Sequence, residues 1–171
     1  KDTQLSWKES YNTSMGHGSA KCISTVLKDV NNDGIPEVFC EWNEGAVTYT
    51  MDYIDKSGND KQLFYMTHLS IATADGYIKT SGGYVGGVYF DTVRKYNQST
   101  GEYDTVFDAK IIENYGENTT TTEYKVNGNT CSEAEYNLAL NNFVSGIPFE
   151  NIDFDKMGKR QEPAAVIRNY K

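Results

Sequence analysis

Cys22-Ile-Ser-Thr-Val-Leu-Lys-Asp-Val-Asn-Asn-Asp-Gly-Ile-Pro-Glu-Val-Phe-Cys-Glu-Trp42 reads as strand, loop, strand. Both flanks are short, rich in β-branched or aromatic residues, and bounded by turn formers, which favours paired strands. Between them, Asp29 to Glu37 follows the pattern D-x-N-x-D-G-x-x-E. Hard cations such as calcium take several oxygen ligands, and alternate residues of a tight loop point theirs inward. Asp29, Asn31 and Asp33 would supply side-chain oxygens, Ile35 its backbone carbonyl, and Glu37 a carboxylate directly or through water. Gly34 permits the sharp turn, because positive φ costs glycine little. Calcium is therefore the expected ion; a metal-free Asn/Asp/Gly turn is the alternative.

The surroundings exclude two helical calcium modules. An EF-hand needs a bidentate Glu at position twelve and helices on both sides. Position twelve here is Cys40, and Pro36 stands where the exit helix would begin. A dockerin fails on the same two points. The loop reads as a fixed joint between strands rather than a sensor.

Working outward, alternation and turn signals predict an antiparallel β-meander. Strands are expected over residues 46–54, 62–69, 76–80, 87–96, 103–112 and 119–124, with Lys125 to Asn129 as a turn. In the strand over 103–112, Thr105, Phe107, Ala109 and Ile111 fall on one face by alternation. Ser132-Glu-Ala-Glu135 is a capping box, and Tyr136, Leu140, Phe143 and Val144 form a helical stripe. The spacing predicts a helix over 132–144, stopped by Gly146 and Pro148. Residues 147–154 suggest an edge strand and 163–170 a C-terminal helix, while Leu5 to Tyr11 is either a helical turn or a strand. The class is α+β, mainly β. The expected organisation is one domain over 1–171, with an N-terminal segment over 1–19, a core over 20–154 and an extension over 155–171.

Composition narrows the partners. The 171 residues carry a net charge of −8, which argues against nucleic acid, because phosphate binding needs clustered Lys and Arg. No stretch approaches the ~20 apolar residues of a transmembrane helix. The chain begins at Lys1 without Met, so a targeting region is expected to lie outside it. Three cysteines leave an odd count. Cys22 and Cys40 could meet across the hairpin, but thiols are the expected state for both and for Cys131.

Reaction chemistry is sparsely signalled. The only histidines, His17 and His68, lack a third ligand at zinc spacing. Gly82-Gly-Tyr-Val-Gly-Gly87 lacks the Lys-Ser/Thr of a phosphate loop and reads as a turn or bulge. Ser24, Cys40 and His68 carry no signature of a nucleophilic triad. Acid pairs such as Glu41/Glu44 or Asp104/Asp108 could serve a glycosidase, though solvated strand edges explain them as well. Tyr84, Tyr89, Tyr96 and Tyr103 cluster around one hairpin. They would either present an aromatic face to a glycan or protein ligand, or fill the core.

Three segments together carry a resemblance. They are Leu27-Lys-Asp-Val-Asn-Asn-Asp-Gly-Ile-Pro-Glu-Val38, Tyr96-Asn-Gln-Ser-Thr-Gly-Glu-Tyr103, and Tyr124-Lys-Val-Asn-Gly-Asn-Thr-Cys-Ser-Glu-Ala-Glu-Tyr136. Over residues 20 to 154 the chain resembles a largely uncharacterised group of secreted or lipid-anchored proteins of gut Firmicutes. Those carry one DxNxDGxPEL segment, a β-meander and a late strand-to-helix step. The loop is also similar to that of FG-GAP and VCBS propeller repeats, but it occurs once, so a propeller of such blades is excluded by count. Val38 stands where leucine is usual. The resemblance implies an extracellular or cell-surface location and a calcium ion, with no activity attached. Three readings follow: a calcium-stabilised, non-catalytic binding module, a secreted carbohydrate-active enzyme using Asp/Glu, or a structural spacer.

Overall fold

A computed structural model describes residues 21–43, 47–66, 68–72, 75–84, 86–117 and 119–152. The N-terminal segment, the C-terminal helix expected over 163–170, and His17 and Glu44 lie outside the described residues. Within them the protein is mainly β, with antiparallel sheets and a single helix.

The first sheet is a four-stranded meander of β1 (Lys21–Lys28), β2 (Glu37–Asn43), β3 (Val47–Ile54) and β4 (Asp60–Met66), paired in that order. The second holds β5 (His68–Ala72), β6 (Tyr77–Tyr84), β7 (Val88–Asn97), β8 (Glu102–Tyr115), β9 (Thr120–Val126) and β10 (Asn129–Cys131), again neighbour to neighbour. β11 (Glu150–Asn151) returns to pair with β5 as an edge strand. Short connections between successive strands make neighbour pairing the expected topology.

Two expectations are corrected. Residues 62–69 are not one strand: β4 ends at Met66 in the first sheet and β5 begins at His68 in the second. Strands that switch sheets form the corners of packed sheets, and periodicity alone does not reveal such a break. Gly82 and Gly83, expected in a turn or bulge, belong to β6 instead, where Gly82 pairs with Phe90 and Gly83 with Tyr89. Cys22 lies opposite Trp42 and Cys40 opposite Thr25, so the two cysteines are not a cross-strand pair. Cys40 is a buried thiol and Cys131 a half-buried one.

The helix α1 (Glu133–Val144) forms as its capping box dictates. Ser132 Oγ accepts from Glu135 N at 3.3 Å, and Ser132 N donates to Glu135 Oε2 at 2.8 Å. Its apolar stripe lies on β8 and β9. There Tyr136 is buried with Val93, Phe107 and Ala109, and Phe143 stacks on Phe107 at 4.7 Å between centroids. The opposite face of the second sheet meets the first in another core. Val30, Phe39, Met51 and Tyr53 pack there against Ile71, Ile78, Tyr96 and Tyr103.

One irregularity decides which core each aromatic joins. The β7–β8 register passes from Val93 opposite Phe107 to Arg94 opposite Thr105, leaving Val106 without a counterpart. A bulge of one residue reverses the alternation beyond it. Tyr103 and Phe107 share sequence parity yet point to opposite faces, Tyr103 into the inter-sheet core and Phe107 beneath α1. The expected common face for Thr105, Phe107, Ala109 and Ile111 therefore holds only from Phe107 onward.

Candidate metal centre

The loop between β1 and β2 is built from side chains that cap their own backbone. Asp29 Oδ1 accepts from Asp33 N at 3.2 Å and Oδ2 from Gly34 N at 3.0 Å. Asn31 Oδ1 accepts from Asp33 N at 2.9 Å, and Asp33 Oδ1 accepts from Ile35 N at 2.7 Å. Such local bonds are the habit of Asx residues and wind the chain tightly. Asn32 and Gly34 supply the positive φ angles, 57° and 85°, that this winding requires. The outcome is a short arc holding the oxygens of Asp29, Asn31 and Asp33.

Glu37 behaves differently. It opens β2 with 1 % of its surface exposed, and both carboxylate oxygens meet donors inside the protein. Oε2 accepts from Val30 N at 2.7 Å; Oε1 accepts from Asn31 Nδ2 at 2.8 Å and from Tyr103 Oη at 2.7 Å. Burial pushes its carboxyl up to about 7, against the opposing pull of the Val30 amide and the Tyr103 hydroxyl. Burial, then the neighbouring Glu37 charge, raises the Tyr103 hydroxyl in turn. Tyr96 Oη donates to Asp33 Oδ2 at 3.4 Å, so two tyrosines of the second sheet hold two acids of the first. Tyr103 packs edge-on against Tyr53 at 5.1 Å and tilted against Tyr96 at 5.2 Å. Behind the loop, Gly76 lies against Tyr96 and the Asn31 backbone.

The donor set is all oxygen, with the exposed Asp33 and half-buried Asp29 carboxylates, one amide oxygen and the nearby Ile35 carbonyl. That chemistry suits a hard cation and not zinc or copper. Each carboxylate oxygen has lone pairs beyond those its amide contacts use. Among the described residues, no group of three or more His, Cys, Asp and Glu side chains could hold a metal ion. Asp29 and Asp33 would thus be joined by amide and carbonyl oxygens rather than by a third acid. Glu37, expected from sequence as a ligand, is committed to the loop's interior.

The tyrosine cluster is divided. Tyr96 and Tyr103 are core residues, corrected from an exposed ligand face, because the bulge and the hairpin register turn both inward. Tyr89 is 47 % exposed on the other face of the sheet. Tyr84 ends β6, and its side chain lies outside the described residues. Sequence reasoning missed the tyrosine–acid bonds, although a Tyr at each end of one hairpin was a legible hint of a cross-strand pair.

The acid pair Asp104/Asp108 does not face one site. Lying either side of the bulge, the two point to opposite faces; Asp104 accepts from Asn97 Nδ2 at 2.7 Å, and Asp108 from Thr92 Oγ1 at 2.9 Å. Glu41 is buried on the inner face of β2. His68 is exposed, whereas Ser24 and Cys40 are buried. No described helix is long and apolar enough to cross a membrane. Comparisons with protein-family models, with curated proteins and with solved structures each find no match.

Proposed function

We propose that this chain is a calcium-stabilised, non-catalytic binding module of a secreted or cell-surface protein. The observation that carries the reading is the Asp29–Glu37 loop, whose oxygens are gathered by its own amides and anchored to the second sheet through Tyr103 and Tyr96. A cation there would neutralise Asp29 and Asp33 and tighten the joint between the sheets. Binding of this kind adds to folding stability by mass action. The separated acids Asp104 and Asp108 offer no support for the glycosidase reading, and the exposed Tyr89 and Tyr115 fit a ligand-binding surface better than an inert spacer.

Thermal melting of the EDTA-treated, dialysed protein with and without calcium tests the proposal. At a calcium concentration one hundred times Kd the gain is about 2.7 kcal/mol, which raises Tm by roughly 5–10 °C for a chain of this size. A Tm that calcium leaves unchanged sinks the metal site.

A further inference from the structure

Away from the loop, the helix-bearing face of the second sheet extends past the N-terminal end of α1 as an aromatic and acidic strip. Tyr89 lies opposite Ile111, and Glu113 N donates to Gly87 O at 2.7 Å, so Gly87 and Glu113 are neighbours across the strands. Alternation puts Gly83, Gly87, Tyr89, Glu113 and Tyr115 on the same face. Tyr115 is 64 % exposed and Tyr89 47 %. Their rings are seated on glycine backbone: a Cβ at Gly83 would stand 3.1 Å from the Tyr89 ring, and one at Gly87 2.8 Å from the Tyr115 ring. Tyr115 Oη donates to Glu113 Oε2, which orients ring and carboxylate together. Further along, Glu133 in the first turn of α1 sits beside the Tyr124 hydroxyl.

Charge selects the occupant. None of the described cations forms an ion pair with Glu113 or Glu133. Lys79 is paired with Asp91 at 3.2 Å and Lys95 lies over the Tyr77 ring, both further down the face. The chain as a whole carries −8, a field that draws cations toward it. Exposed tyrosine faces attract ammonium and guanidinium groups through the ring quadrupole, and an adjacent carboxylate supplies the countercharge. An open strip of two rings and two acids matches an extended chain bearing several cations better than one enclosed small molecule. We infer that Tyr89, Tyr115 and Glu113 form a docking surface for a Lys- or Arg-bearing segment of a partner protein. The inference rests on the binding-module reading above and supplies the ligand class that reading leaves open.

The test is fluorescence anisotropy in calcium with a labelled decapeptide of alternating Arg and Gly. An acidic Asp/Gly decapeptide and a panel of neutral glycans serve as parallel probes. Loss of both rings in Y89A/Y115A should weaken the basic peptide about 5- to 30-fold, at the strength of exposed cation–π contacts, whereas Y89F/Y115F should stay within about two-fold. Glu113→Gln should weaken it in low salt and less so in high salt, as screening predicts. Glu150→Gln, on the opposite sheet edge, should change nothing. Amide chemical-shift mapping on the unsubstituted protein gives a readout that needs no variant, with changes expected at Gly83, Gly87, Tyr89, Glu113 and Tyr115. Equal binding by Y89A/Y115A, or shifts scattered over every acidic surface, overturns the inference. Glycan binding that depends on Tyr89, without peptide binding, overturns it and leaves the module reading standing. Binding of no probe overturns both.

Discussion

Tyr103 Oη donates to Glu37 Oε1 at 2.7 Å, joining β8 of the second sheet to the first residue of β2 in the first, 66 positions apart. Both groups are buried, and the same carboxylate collects Val30 N and Asn31 Nδ2. One bond therefore links the loop's backbone, its central amide and the inter-sheet core. Buried polar networks of this kind are costly to leave partly unmade.

Removing that hydroxyl should be felt in stability. Tyr103→Phe deletes one donor to a buried carboxyl and should cost about 1–3 kcal/mol. Tyr96→Phe, whose bond to Asp33 is 3.4 Å long, should cost less than half as much. Urea melts of the two variants give the comparison, and a Tyr103→Phe variant as stable as the parent would show that Tyr103 acts through packing alone.

Glu37 should make calcium-free stability fall as pH rises. Its folded value of about 7 exceeds the ordinary 4.5, so between those values the folded protein holds a proton that the unfolded chain has released. The advantage is complete below about pH 4.5 and lost as pH passes through 7. At 1.36 kcal/mol per pH unit, the span corresponds to on the order of 3 kcal/mol. Chemical denaturation between pH 5 and 8 in EDTA should show this decline for the parent and a flatter profile for Glu37→Gln.

Calcium dependence should follow the acids of the loop. Asp33→Asn keeps an oxygen for the Ile35 amide but removes a charge. The calcium-induced rise in Tm should shrink by more than half, while the calcium-free Tm stays within about 2 °C, as for a surface substitution. A variant that melts in calcium like its parent would take Asp33 out of the ligand set.

Gly76 should tolerate no side chain. Its φ is +67°, and an added Cβ would come within 3.2 Å of Tyr96 Cβ and 3.5 Å of Asn31 Cα. Gly76→Ala should therefore cost about 1–2 kcal/mol through left-handed strain, plus crowding against the loop. Weaker calcium binding should accompany it, measured by calorimetric titration; calcium affinity equal to the parent's would separate the turn from the site.

The helix cap offers a local check. Ser132→Ala removes the acceptor for Glu135 N and should cost about 1 kcal/mol. Because α1 lies on the face opposite the loop, calcium's effect on Tm should be the same as in the parent.

Sequence by itself determined the elements whose causes are local. The Asx-rich loop between two strands, the Ser132–Glu135 cap and the strand periods followed from residues a few positions apart, where backbone geometry is set by neighbours. Only the tertiary structure decided which face each strand presents. The unmatched Val106 sends Tyr103 to the inter-sheet core and Phe107 beneath α1, and β4 and β5 divide one extended run between two sheets. Those choices carried Tyr96 and Tyr103 from an expected ligand face to the acids of the loop, drew Glu37 inward, and left Tyr89 beside Tyr115. The physical reason is that a one-residue change of register costs little locally yet reverses every side chain beyond it. Burial summed over two packed sheets, not local propensity, selects the outcome.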